Sequence, residues 1–378
     1  MFKSHIIVIL VLGLMLKIFY LIFSIASTAH WSVEALNLNR AEVVGTFKNN
    51  DSYWYEDIAV NGHGDMKPSE PGECGAKDTE YSNYNFMPLY SWSVRLLMKF
   101  TGLEFDVSAL ILSLLYSLAL FLIFYWFCAD FLDPHKAFWA TVVLMILPFH
   151  YYFSMMYTES LYLILLLTSF LSIRKNYMAV LGASLFLLPL VRPNGLFMIL
   201  PLLLYFLEKR SLLSLKSLNF STLKSNSSIV IFFLPIISMT FYCIHLYSRT
   251  GDYFAFIHAR RAWCLYTTWP WQAFLNDRSP FILFKSLYLL LFSIFAVYSY
   301  KRLPLSFQVL IWINLLLPLT SNLITTPRYI SAIFPFSILI GSAMADMNQM
   351  KKAMLVSLFL AGHFWSYSLW TANSVLSF

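Results

Sequence analysis

The chain has 378 residues, 59% of them hydrophobic and 12% charged, with a mean hydropathy of +0.66. A soluble domain carries about 25% charged residues, so this composition excludes an ordinary soluble enzyme and points to a multi-pass membrane protein. The net charge of +7 is spread over many short loops, a pattern that reports orientation in a bilayer rather than a nucleic-acid surface.

A bilayer core about 30 Å thick takes about 20 apolar residues as helix. On that measure, spans are predicted at 5–26, 107–128, 138–153, 158–173, 177–191, 194–208, 228–248, 281–299, 305–320, 329–346 and 353–371. These eleven form one all-α polytopic bundle over 1–378. The first segment can also be read as a signal peptide cut after "SIA". Its apolar run is longer than the roughly 7–15 residues of a signal core, which favours a retained span with Lys17 snorkelling or facing the bundle.

Residues 27–106 form a large first outer loop. Within it, "WSVEALNLNRAEVVGTF" and "FMPLYSWSVRLLMKF" read as short interfacial helices, and the Gly/Pro/Ser-rich "GDMKPSEPGECGAKDTEYSN" as the flexible connection between them. Pro193 with Gly195 breaks one apolar stretch in two, which predicts a shallow helical hairpin. A second outer segment, 248–280, is rich in aromatic rings and mixed in charge. No internal repeat is visible.

Basic residues in short loops mark the cytoplasmic side. With the N-terminus inside, the inner loops hold Lys3, Lys136, Arg174, Lys175, Lys209, Arg210, Lys216, Lys224, Lys301, Arg302, Lys351 and Lys352, against only Asp130, Asp133, Glu208 and Asp346. The C-terminus and both large loops then lie outside. The sequons at Asn219 and Asn226 fall inside and stay unmodified. Cys74, Cys128, Cys243 and Cys264 make neither a metal pattern nor a disulfide framework. Cys74 and Cys264 share the outer side, which permits one bridge; Cys128 and Cys243 read as small buried hydrophobes.

This topology puts Asp51, Glu159, Arg192, His258, Arg260, Arg261 and Arg328 on the outer side or at its membrane boundary. Polar groups in or beside a membrane are costly, so their convergence predicts an outward-facing polar site. Each also has a plain structural reading. Asp51 can cap a helix "DSYWYEDIAV", Glu56 and Asp57 can favour its dipole, and Glu159 can begin a span. Arg192 and Arg328 can snorkel, and Arg260 with Arg261 can be a solvated patch. The "WPW" at 269–271, with Trp263, can be an interface belt.

Taken together, these residues suit a lipid phosphate carrying a sugar. Arginine binds phosphate through a planar fork and stabilises it as it departs. A carboxylate can take the proton of an attacking hydroxyl, and aromatic faces suit the C–H faces of sugars. No close cluster of carboxylates or histidines occurs, so no cofactor is expected and a divalent metal has no support.

The motifs resemble a known family. "DSYWYEDIAVNGHG" resembles the first-loop signature of the GPI mannosyltransferase 2 family (the PIG-V type), roughly W-D-x-x-W/Y-Y-x-x-I-A-x-x-G-Y. "NFMPLYSWSVRLL", "MMYTESLYLILL", "LVRPNGLF", "RTGDYFAFIHARRAW" and "TTPRYISAIFPF" resemble its later segments, in the same order, from about residue 50 to 336. Departures are Asn50 in place of the Trp before the acid, His63 in place of the Tyr after the glycine, and His258 and Arg260 where smaller or neutral residues are common.

The resemblance implies a GT-C-type membrane glycosyltransferase with a polyprenyl- or dolichyl-phosphate sugar donor. The reaction it implies is transfer of mannose to a lipid-linked glycan on the outer or luminal face; the mechanism we expect is an inverting single displacement. Asp51 matches the first-loop acid and would be the catalytic base. Glu159, Arg192, Asp252 and Arg328 match other polar motif positions, with Trp54 and Tyr55 in support. Arg192, Arg328, His258 and Arg260 would contact phosphate or acceptor. The membrane would be a bacterial inner membrane or the endoplasmic reticulum, and a small membrane partner subunit fits the class. The alternatives are a lipid-linked sugar flippase, which predicts midplane polar residues and repeated halves, a non-catalytic assembly subunit, and a GT-C enzyme for another sugar.

Overall fold

A computed structural model describes residues 2–28, 40–64, 82–210, 227–263, 265–276, 281–321 and 323–374. The helices that organise the fold are α1 (Phe2–Thr28), α2 (Asp51–Val60), α3 (Pro88–Thr101), α4 (Phe105–Ala129), α5 (Pro134–Ile146), α6 (Glu159–Lys175) and α7 (Met178–Val191). They continue with α8 (Ile199–Lys209), α9 (Leu234–Thr250), α10 (Ile282–Ser299), α11 (Leu305–Leu316), α12 (Thr326–Ser331), α13 (Phe334–Ala345) and α14 (Gln349–Thr371). Every predicted span overlaps one of these helices.

Among the described residues, four segments are long and apolar enough to cross a membrane by themselves: Ser4–Thr28, Phe105–Ala129, Ser228–Thr250 and Ile282–Ser299. Others are shorter than their apolar stretches. The 138–153 stretch is not one helix. α5 ends at Ile146, Phe149 takes a left-handed conformation (φ 65°), and a 3-10 turn follows over His150–Ser154. Pro148 explains the break, since its ring cannot continue the helix. The 194–208 stretch is a 3-10 turn, Pro193–Leu196, and then α8. The 329–346 stretch is split into α12 and α13.

Side-chain contacts fix the directions. His5 at the start of α1 meets Tyr125 near the end of α4 at 3.1 Å, while Ser24 near the end of α1 meets Tyr367 near the end of α14 at 2.8 Å. α1 therefore runs antiparallel to α4 and parallel to α14. Lys17 faces the bundle, donating to Ser154. One end of the bundle gathers much of the charge expected in the inner loops. Asp130 pairs with Arg174 and, at 2.6 Å, with Lys175; Lys136 pairs with Asp346 at 2.9 Å. Lys352 instead turns inward, 5% exposed, to the Ala345 carbonyl.

The interior is aromatic. Phe127, Phe170, Phe307 and Phe334, from α4, α6, α11 and α13, pack with centroids 5.4–6.1 Å apart. α5 and α13 touch backbone to backbone at Gly341, where a Cβ would lie 2.6 Å from the Trp139 carbonyl carbon. Such close approach is what a missing side chain permits. Cys128 is buried and Cys243 half-buried, both free. Cys74, Cys264, both sequons and the 65–81 connection lie outside the described residues, as does most of the first expected interfacial segment. The second is α3, begun by Pro88 and closed by Gly102 in the left-handed region (φ 71°), as helix ends favour.

Candidate functional site

At the other end of the bundle, four charged residues from four distant segments form one continuous chain. Arg328 donates through Nη1 to Asp51 Oδ2 and through Nε to Glu159 Oε1. Arg192 Nη1 donates to the same Glu159 oxygen at 2.7 Å. Glu159 is fully buried, Arg192 and Arg328 are each 8% exposed, and the Asp51 side chain keeps 29% of its surface open. Asp51 is thus the member of the chain that a ligand can reach.

Each member is placed by local structure. Asp51 is the first residue of α2, and Asn50, not Asp51, occupies the cap position, with φ 48°. A carboxylate there is favoured by the positive end of the helix dipole. The segment leading into α2 is clasped from two sides. Met156 N–H donates to the Phe47 carbonyl (3.2 Å), Tyr157 Oη to the Asn49 carbonyl (3.0 Å), and Ser52 Oγ to the Met156 carbonyl (3.1 Å). From α14, Trp370 Nε1 donates to the Thr46 carbonyl at 2.6 Å, and Asn49 Nδ2 returns a bond to the Trp370 carbonyl at 3.2 Å.

Glu159 opens α6. Arg192 is extended at the end of α7, and the following turn closes with Gly195 N–H on the Arg192 carbonyl at 2.9 Å. Gly195 packs so tightly that a Cβ would lie 2.6 Å from the Leu188 carbonyl oxygen. Arg328 sits on α12, its guanidinium over the Tyr157 ring at 4.4 Å and near Tyr152 at 5.9 Å. Arg192 lies over Tyr329 at 5.2 Å and Tyr162 at 5.8 Å. These cation–π contacts stabilise desolvated guanidinium groups. Sequence reasoning missed the four tyrosines; that Tyr157 and Tyr329 stand within two residues of Glu159 and Arg328 was the available signal.

Of the three aromatic residues of α2, Tyr53 stands exposed and the other two are packed. Tyr55 is buried edge-on against Phe86, Tyr90 and Tyr157, and Trp54, half-buried, stacks on Phe86 at 5.6 Å. Burial pushes the Tyr55 phenol up to about 12, so it stays protonated. Glu56 pairs with Lys48 at 2.7 Å, and Lys48 also holds Asp106 at 2.7 Å. Asp57 accepts from Asn83 (2.6 Å) and Asn61 (2.7 Å). Both acids therefore organise the first loop.

Asp252, His258 and Arg260 form a separate group. His258 Nδ1 donates to Asp252 Oδ2 at 2.5 Å, and Arg260 donates to Ser321 Oγ at 3.2 Å. Burial acts to raise the Asp252 carboxyl, but His258, the Phe254 N–H and Arg261 together hold it below its usual range. Among the described residues no bond joins this group to the Asp51–Arg328 chain. It packs on the first loop through Ala255, which shares a buried cluster with Tyr84 and Tyr242. Trp269 and Trp271 stack in parallel at 5.3 Å and stand exposed. Among the described residues no three His, Cys, Asp or Glu side chains converge to hold a metal; the carboxylates of Asp51 and Glu159 are separated by the guanidinium they share.

No family model and no curated protein matches the chain. Solved structures do. ArnT from Cupriavidus metallidurans bound to undecaprenyl phosphate aligns with a TM-score of 0.52 and 15% identity, over 89% of this chain and 72% of that one. The same enzyme in the apo state aligns at 0.50 and 13%, over 88% and 68%. The Archaeoglobus fulgidus oligosaccharyltransferase in the apo form aligns at 0.49 and 13%, over 99% of this chain and 55% of that one. The chain has the polytopic fold of GT-C membrane glycosyltransferases.

Proposed function

We propose that the protein is a GT-C glycosyltransferase that moves mannose from polyprenyl- or dolichyl-phosphate mannose to a hydroxyl of a lipid-linked glycan, on the outer or luminal face. The observation that carries this reading is the Asp51–Arg328–Glu159–Arg192 chain. It joins an open carboxylate to two guanidinium groups, the pair of functions that hydroxyl activation and phosphate departure require. Undecaprenyl phosphate in the ArnT structure supports a lipid phosphate as the donor's carrier. The order of the sequence motifs supports mannose and a GPI-precursor-like acceptor.

In this mechanism Asp51 takes the proton of the acceptor hydroxyl as its oxygen attacks the anomeric carbon. The carbon–oxygen bond to phosphate breaks through an oxocarbenium-like state, as in inverting sugar hydrolysis. The electron pair leaves on the phosphate oxygen, where Arg328 and Arg192 stabilise it. Glu159 holds both guanidinium groups. His258 or Arg260, on the segment that packs against the first loop through Ala255, would contact phosphate or acceptor. Clustering of the four charged residues at one end of the bundle favours this reading over a flippase, whose polar site belongs near the midplane. The test is sugar transfer by the reconstituted protein with polyprenyl-phosphate mannose and a panel of acceptors, beside Asp51→Asn.

A further inference from the structure

We infer that Arg328 is a latch on Asp51 that the donor's phosphate releases, and that Glu159 is the positioning residue on which the latch turns. The inference rests on the functional reading above. Arg328 uses two different nitrogens of one planar group, Nη1 for Asp51 and Nε for Glu159. The two bonds differ in what can replace them. Glu159 is fully buried, so the Nε bond is sealed from solvent and ligand; Asp51 is 29% exposed, so the Nη1 bond lies where a ligand arrives.

A phosphate entering there offers more acceptor oxygens than a carboxylate and competes for Nη1. The guanidinium need not leave its place to answer. It keeps Nε on Glu159 and turns over the face of Tyr157, 4.4 Å away. While Arg328 holds Oδ2, the carboxylate is fixed and its oxygen is engaged. Once Nη1 passes to phosphate, Asp51 is free to receive the acceptor hydroxyl. Donor binding thereby prepares the base as it grips the leaving group.

A second observation shows an acceptor for the turn. Glu159 Oε1 accepts from both arginines, whereas Oε2 is buried without a hydrogen-bond partner. Buried acceptors are seldom left empty. Here one oxygen is doubly loaded and the other held in reserve, so a guanidinium N–H can move to Oε2 without either arginine losing Glu159.

The test is a binding cycle on the full chain in detergent, with sugar-free polyprenyl phosphate as the probe and wild type, Asp51→Asn, Arg328→Gln and the double variant compared. Asp51→Asn leaves only a neutral, weaker acceptor for Nη1 and is expected to tighten binding about tenfold, as when a population cost on the competent state is removed. In the Arg328→Gln background the same change should alter affinity by less than about twofold, because no latch remains to release. An equal gain in both backgrounds would mean simple charge repulsion and overturn the latch, as would no gain at all. If Arg328→Gln does not fold, infrared difference spectra of wild type and Asp51→Asn decide. Polyprenyl phosphate should shift a carboxylate band that the variant lacks; no shift overturns the proposal. Wild type that binds no polyprenyl phosphate overturns the functional reading as well, whereas binding that shows no coupling to Asp51 overturns the latch alone.

Discussion

Arg328 and Asp51 stand 277 positions apart in the chain and share a hydrogen bond at one end of the bundle. Their meeting requires the segment before α6, through Met156 and Tyr157, and the end of α14, through Trp370, to close around residues 46–52 of the first loop. The site is thus a product of the whole helical scaffold, not of one motif.

Glu159 carries the heaviest electrostatic duty. Its fully buried carboxylate is the shared partner of Arg192 and Arg328. Glu159→Gln keeps the shape and removes the charge, leaving two buried cations short of a counter-ion. Loss of one partner from a buried pair costs about 3–5 kcal/mol. Chemical denaturation in detergent should show a loss of that order; wild-type stability in the variant would contradict the burial argument.

The α5–α13 contact depends on a bare backbone. A methyl group at Gly341 would meet the backbone of Trp139 and Ala140, so Gly341→Ala must push the two helices apart. Overpacking of this kind costs about 1–3 kcal/mol. The melting temperature of the purified protein should fall, while Gly45→Ala, which meets nothing within 4 Å, supplies the control at an open position.

His63 joins the first loop to α9. Its Nε2–H donates to the Phe86 carbonyl at 3.0 Å, and the Tyr242 hydroxyl lies 3.2 Å away. Burial pushes the imidazole below its ordinary 6.5, against the opposing pull of the Phe86 carbonyl. Between the folded and unfolded values the unfolded chain binds more protons, so this contribution is complete above about pH 6.5 and is lost as pH falls toward the folded value. Stability measured from about pH 7.5 down to pH 5 should decline in wild type and decline less in His63→Gln. Identical profiles would remove His63 from the account.

Much of this was legible in the sequence because two signals are local. Hydropathy marked a helix overlapping each predicted span, and isolated charges beside apolar runs marked Asp51, Glu159, Arg192 and Arg328. What was not legible depends on long-range geometry. The break after Ile146 hides in "ILPFHYYFSMMY", where apolar character continues although the helix stops; Pro148 was the cue. The tyrosine faces under Arg328 and Arg192 went unread, because only the fold brings those rings against the guanidinium groups. As helix-start acids Glu56 and Asp57 looked equivalent to Asp51; the motif set Asp51 apart, and the fold adds what no local signal showed, Lys48 beside Glu56 and Asn83 beside Asp57.

The most direct test of the central claim is sugar transfer by the purified, reconstituted protein, supplied with labelled polyprenyl-phosphate mannose and acceptors that include mannosylated glucosaminyl-inositol lipids. Wild type should transfer the sugar, and Asp51→Asn, with an unchanged melting temperature, should be slower by about two to four orders of magnitude, the range of a general base. Transfer by Asp51→Asn at the wild-type rate would contradict the account.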